Sequence, residues 1–336
     1  MTSRDLTEQR TFIKSRHESC WENAIQTHNN PIETCSKPAE YPTHLYKMHW
    51  LLIFLILQPS CSFIISDLHS SSCPHYTTVS SFLSHIGVNV HTSGTFGVSD
   101  LDVTHDPKRS SCTVLKANYA KGSHSHTHDL VRGAQFFVTP SGYPNGATDV
   151  TLSYDVYFPS SFSWVNGGKL PGTYGHSTHC SGGRDSNHCI STRFMWRAHG
   201  AGELYLYFPK DAQPNFDTWA KHQNAEIVTH DNYGVSIRSP NFVFHHNQWI
   251  NLKQQIHLNT VRSSGHGNAD GWIKIFMNHA SSPVMSIKDV VLRKYDDVKI
   301  DGIFFSTFFG GSDDSWASAH NTYTLYKNFQ ISVGHH

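Results

Sequence analysis

A chain of 336 residues with 26 Lys+Arg against 26 Asp+Glu carries no formal net charge, so no broad field of either sign points to nucleic acid or an anionic membrane. Charged residues make up 15%, well under the roughly 25% of ordinary soluble domains; an anionic partner would have to be met by a few placed cations in a cleft. Histidine is abundant, at 26, so total charge rises steeply as pH falls through the imidazole range.

Residues 1–47 are polar, show no amphipathic pattern and read as an N-terminal extension outside the mature fold. Met48-His49-Trp50 then leads into the apolar run Leu51–Leu57, Gln58-Pro59 and the small-x-small triplet Ser60-Cys61-Ser62. That layout is a signal peptide over 48–62, and its apolar run is far short of the ~20 residues a membrane-spanning helix needs. A secreted, extracellular, monomeric protein is expected, free of membrane after signal removal, with one domain over 63–336. Removing residues 1–62 discards Cys20, Cys35 and Cys61 from the seven cysteines and leaves Cys73, Cys112, Cys180 and Cys189. Three pairings are open to four cysteines. Cys180–Cys189 is chosen because the Gly182-Gly183 loop lets the chain double back, leaving Cys73–Cys112.

Along the mature chain, Thr77–His85 suggests a short helix. His124, His126 and His128 alternate and would share a strand face; a transition-metal site is the sharper reading, surface histidines in a His-rich chain the plainer one, and no metal is assigned. Short β-rich segments follow: Ala134–Val138, Thr151–Phe158, Ile190–Arg197, Glu203–Phe208, Trp249–Leu258, Gly271–Met277, Gly302–Phe309 and Thr322–Ser332. Within the second, Leu152, Tyr154, Val156 and Phe158 face one way, Thr151, Ser153 and Asp155 the other. Asn268-Ala269-Asp270-Gly271 reads as a turn, as does Asp313-Asp314. The pattern predicts an all-β fold, two packed antiparallel sheets in a sandwich or jelly roll.

The informative stretch runs from Asn166 to Pro209. Gly167-Gly168-Lys169-Leu170-Pro171-Gly172 reads as a glycine-rich loop carrying a lysine. In Ile190–Arg197, Ser191, Arg193, Met195 and Arg197 share one face. After Ala198-His199-Gly200-Ala201-Gly202, Glu203, Tyr205 and Tyr207 share a face of the next strand. A hairpin symmetric about Gly200 would set Arg197 opposite Glu203, Met195 opposite Tyr205 and Arg193 opposite Tyr207, a register that the Arg–Glu match favours. Ser191, Arg193, Tyr205 and Tyr207 then gather on one surface. Arginine and serine can grip a carboxylate; tyrosines can transfer protons and stack on sugars. An ordinary solvated sheet face would show the same residue types.

GGKLPGTYG, the CSGG loop with its second cysteine at 189, STRFMWR, GELYLYFP and FSTFFGGSDDSWA, in this order between Gly133 and Phe329, resemble polysaccharide lyase family 14, whose members include alginate and glucuronan lyases. The resemblance implies a β-jelly roll that cleaves an anionic polysaccharide of uronic acids by β-elimination without a cofactor. It also implies residue roles: Lys169 as the key catalytic residue, Ser191 and Arg193 on the substrate carboxylate, and Tyr205 and Tyr207 at the reaction centre. The loop disulfide of the family falls on Cys180–Cys189. Where relatives carry a GSYS-like stretch before GGAQF, this chain has Gly122-Ser123-His124-Ser125-His126-Thr127-His128 before Arg132-Gly133-Ala134-Gln135-Phe136. That region, with Gln135 as a substrate-binding candidate, is expected to edge the cleft and tune substrate preference.

β-Elimination removes the C5 proton of a uronate beside its carboxylate and expels the oxygen on C4. Neutralising the carboxylate and the enolate-like intermediate is the largest contribution required, a task suited to Arg193 with Ser191. Arg193 is expected to lower the pKa of Lys169 and of the phenols, with Lys169 favoured as the base and Tyr205 or Tyr207 as the acid. Two rivals stand beside this reading: a non-catalytic glycan-binding relative, and a glycoside hydrolase. The second would need two carboxylates across the cleft, and the proposed face offers only Glu203.

Overall fold

The computed structural model describes residues 63–66, 73, 75–85, 88–230, 233–262 and 266–334; the expected extension 1–47 and signal peptide 48–62 lie outside the described residues. No described helix is long and apolar enough to cross a membrane. Two eight-stranded sheets contain the strands. One holds β1 (Phe63–Ser66), β3 (Leu101–Asp106), β4 (Arg109–Tyr119), β6 (Asp149–Tyr157), β12 (Trp249–His257), β13 (Gly271–Met277), β14 (Met285–Val290) and β16 (Thr322–Val333). The other, in spatial order, is β10 (Glu226–Val228), β11 (Val235–Val243), β9 (Ala201–Tyr207), β8 (Ile190–Arg197), β7 (Gly167–Gly175), β15 (Gly302–Phe309), β5 (Ala134–Pro140) and β2 (Val88–Phe96). Every pairing among them is antiparallel. Two short helices, α1 (Val79–His85) and α2 (Phe216–Lys221), lie outside the sheets. The fold is the expected β-jelly roll.

The period-2 pattern decides what each strand buries. On β6, Val150, Leu152, Tyr154 and Val156 enter the core, and Phe158 follows them. They meet Phe194 and Trp196 of β8, Leu204 and Leu206 of β9 and Phe305 and Phe309 of β15, all in the same apolar cluster. Polar bridges cross this core where hydroxyls face each other. Thr192 joins Thr173 and donates to Gln254 Oε1, both at 2.8 Å. Tyr119 meets Thr307 and, at 2.6 Å, Thr324, and burial pushes its phenol up to about 12. Both disulfides form as expected, Cys73–Cys112 and Cys180–Cys189.

Three sequence expectations need correction. Gly167–Gly175 is a central strand, not a loop: β7 pairs with β8 on one side and β15 on the other. Its glycines serve close packing, since a Cβ on Gly168 would lie 2.1 Å from the Trp196 ring and one on Gly172 only 1.6 Å from the Thr192 carbonyl. The register shifts between Leu170 and Gly172, which places Pro171 at a bulge, where a residue without an N–H is tolerated. Secondly, the β8–β9 hairpin is displaced by two residues: Arg193 opposes Tyr205, Met195 opposes Glu203 and Ser191 opposes Tyr207. The turn is a 3-10 segment, Ala198–Gly200, with His199 left-handed at φ 60°. It closes the hairpin about His199 rather than Gly200. A two-residue displacement preserves faces, so the same side chains still share a surface. Finally, His124, His126 and His128 sit in successive turns, not on a strand; His124 is buried beside Asp314 at 3.6 Å, while His126 and His128 are exposed.

Candidate active site

The face of the β7–β8–β9 sheet turned away from the core carries the polar set. Lys169 on β7 stands beside Met195 of β8, its Nζ 2.8 Å from the Met195 sulfur and 3.6 Å above the Tyr205 ring centre. Burial, then the positive charges of Arg193 and Arg197, hold its amine well below the ordinary lysine value. The expected lowering is therefore present, with desolvation as its main cause.

Arg193 is 2% exposed. Its guanidinium lies 4.4 Å over the Phe304 ring and 5.8 Å from that of Tyr205, and Nη1 donates to Ser306 Oγ at 3.2 Å. Its Nε has no partner among the described residues. A buried guanidinium nitrogen without an acceptor is costly, and among the described residues no carboxylate pairs with this charge. It is suited to an incoming anion.

The phenols are held by backbone. Tyr207 accepts from Gly183 N–H at 2.9 Å and Tyr205 from Gly234 N–H at 3.2 Å; their rings meet edge to face at 5.6 Å. Burial, followed by the neighbouring Tyr207, raises the Tyr205 phenol against the opposing pull of Arg193. The expected lowering of this phenol is thus corrected: desolvation outweighs the cation, and Tyr205 keeps its proton. Ser191 also differs from expectation. It is fully buried and donates to the Cys180 carbonyl at 2.6 Å, fastening the disulfide loop from below instead of opening onto the cleft. Gln135 sits on β5, its Nε2 donating to the Gly94 carbonyl at 2.9 Å. It reaches Arg193 only through Ser306, whose Oγ donates to Gln135 Oε1 at 3.5 Å.

Glu203 is fully buried on β9, bound by Arg197 through two hydrogen bonds of 2.8 Å, by Ser236 at 2.6 Å and by Arg238 at 3.0 Å. Burial alone would raise its pKa, but these partners outweigh it and hold the carboxyl below the ordinary value. It is a fixed counter-ion, with no proton to give. Sequence reading missed Ser306 and Phe304, which come from a strand distant in sequence, β15. It also missed His230, whose Nε2 lies 3.3 Å from Ser236 Oγ and whose pKa is lowered by burial, then by Arg197. An open groove of about 580 Å³, lined by Arg197, Arg238 and Trp316 among others, lies at the Arg197 end of β8.

Comparison with known proteins bears on what this face does. The Polysaccharide lyase 14 family profile matches residues 107–329. The chain belongs to polysaccharide lyase family 14. It is a polysaccharide lyase, and the whole of the cationic and phenolic face falls inside the matched stretch. Among solved structures, this lyase is similar to the PL-14 alginate lyase of Aplysia kurodai, with 35% identity, 80% of this chain and 97% of that one covered, and a TM-score of 0.67. The alginate lyase vAL-1 of a Chlorella virus shares the fold, with 24% identity, coverage of 73% and 91%, and a TM-score of 0.57. Exolysin of Paramecium bursaria Chlorella virus 1 is 27% identical over 210 residues, 56% of this chain. The lyase spans only 30% of the length of that viral protein.

Proposed function

We propose that this lyase is a secreted enzyme that cleaves uronic-acid polymers, alginate or polymannuronate on one side and glucuronan on the other, by β-elimination. The observation that carries the reading is the buried Arg193, whose Nε is unpartnered, set beside an amine held low and a phenol held high. The substrate carboxylate docks on Arg193, which neutralises it and stabilises the enolate-like charge that builds as the C5 proton leaves. Lys169, neutral in part because of its depressed pKa, takes that proton. Tyr205, which retains its own, delivers it to the departing C4 oxygen; Tyr207, fixed by Gly183, shapes the same corner. The C5–H electrons form the C4=C5 double bond as the C4–O bond breaks, and no water is added. Hydrolysis by a carboxylate pair is disfavoured because Glu203 is sunk and doubly paired with arginines.

Secretion is supported by the two disulfides, which persist in oxidising compartments. The substrate class is supported by the 35%-identical Aplysia enzyme being an alginate lyase. The test is incubation of the purified protein with alginate, polymannuronate, polyguluronate and glucuronan, following the ultraviolet absorbance of the conjugated double bond. Absorbance growing on at least one uronan is expected. Binding of these polymers with no absorbance change would point to a non-catalytic glycan binder instead.

A further inference from the structure

The loop that roofs Tyr207 begins and ends on histidines. His176 directly follows β7, and His188 directly precedes Cys189 and β8. Their imidazoles stack in parallel, with centres 4.4 Å apart and planes within 6°. Asp297, from the connection between β14 and β15, places both carboxylate oxygens on His188 Nε2, at 3.0 and 2.9 Å. One ligating atom from each of the three residues lies within 4.8 Å of the others. All three side chains are exposed, so water and ions reach them. Among the described residues, no other group of three His, Cys, Asp or Glu side chains converges in this way.

We propose that His176, His188 and Asp297 form a transition-metal site, separate from the groups at the reaction centre, that clasps the base of the disulfide loop. Tetrahedral zinc holds nitrogen and oxygen ligands at about 2.0–2.1 Å, which sets them roughly 3.3 Å apart. The His188–Asp297 contact therefore needs to widen by only about half an ångström for a cation to replace the shared proton. His176 must close from 4.8 Å at most, within reach of rotation about its own side-chain bonds. Two imidazoles and one carboxylate suit zinc or a neighbouring late first-row ion. They do not suit calcium, which takes six to eight oxygens. Three protein ligands leave a fourth position for water.

The consequence is mechanical. The clasped segment contains Cys180, whose carbonyl takes the Ser191 hydroxyl, and Gly183, whose N–H holds the Tyr207 hydroxyl. An ion at its base ties both ends of this segment to the β14–β15 connection and stabilises the native loop without entering the chemistry.

Zinc alone is the probe, titrated calorimetrically into the full secreted protein. Because the chain has 26 histidines, the comparison is between variants. Wild type and a His126→Gln/His128→Gln control should share one tight equivalent that a His176→Gln/His188→Gln protein lacks. Asp297→Asn should weaken that equivalent at least about tenfold, since even groups behind metal ligands contribute 10–100-fold to affinity. Zinc should raise the melting temperature of wild type and leave that of His176→Gln/His188→Gln unmoved. Identical isotherms for wild type and His176→Gln/His188→Gln, or an Asp297→Asn affinity equal to wild type, would overturn the proposal.

Discussion

Lys169 is the residue on which opposite pressures are most visible. Its amine is desolvated and faces Arg193 and Arg197, so the folded state binds its proton more weakly than the unfolded chain does. The unfolded state therefore holds more protons between the two pKa values, and stability contributed through this group rises with pH across that window. Below it the lysine destabilises the fold, which is the cost of keeping an amine ready as a base. Lys169→Met should accordingly melt higher than wild type at neutral pH while losing activity, a pairing that scanning calorimetry and a rate assay check together. Lys169→Ala should lower kcat by roughly two to four orders of magnitude with a far smaller change in KM. If Lys169 must be neutral to act, the acid limb of the kcat/KM profile lies well below the ordinary lysine range. Arg193→Lys should differ from both. It keeps a charge but loses the planar fork that reaches Ser306 and the cleft at once, so both KM and kcat should worsen, against the KM-sparing loss at Lys169.

At the scale of elements, β7 is the decisive strand, because its glycines let it pass between β8 and β15 at short range. Gly172→Ala would set a Cβ 1.6 Å from the Thr192 carbonyl. Overpacking of this kind typically costs about 1–3 kcal/mol, and the backbone here has little room to yield. A fall in melting temperature together with lost activity is expected; an unchanged melting temperature would contradict this placement of β7. The same strand marks where sequence reading stopped. Ile190–Arg197 was legible to the residue because alternation separates its apolar and polar faces. Gly167–Gly175 was not, because three glycines and a proline in six residues carry the signature of a turn. The bulge at Pro171 that reconciles them with a strand depends on neighbours distant in sequence. The hairpin register was missed by two residues for a related reason: a left-handed His199 is a backbone state that its residue type does not announce. The disulfide loop was legible through its glycines, but its role in holding Tyr207 was not. Replacing Cys180 and Cys189 by serine should therefore lower kcat more than it lowers overall stability, as measured by turnover against calorimetry on the same preparation.

Across the whole molecule, balanced net charge hides a local imbalance. Lys169, Arg193, Arg197 and Arg238 gather where Glu203 is fully buried and shared by two arginines and Glu226 lies opposite Arg238. That excess of cation is what an anionic polymer meets, although the chain as a whole is neutral. It follows that substrate affinity should fall as salt rises while the fold is little affected. The jelly roll was readable from strand spacing, and most of the candidate site from two alternating strands; Ser306, Phe304 and His230 were not, because only the folded sheet order brings them near Arg193 and Lys169. What the assembled site implies most directly is bond cleavage without water. Cleavage of the preferred uronan in ¹⁸O-labelled water, with mass spectrometry of the new ends, measures this. β-Elimination leaves unsaturated ends lighter by one water than hydrolytic products, with no ¹⁸O incorporated by cleavage. Saturated ends carrying one ¹⁸O per bond cut would contradict it.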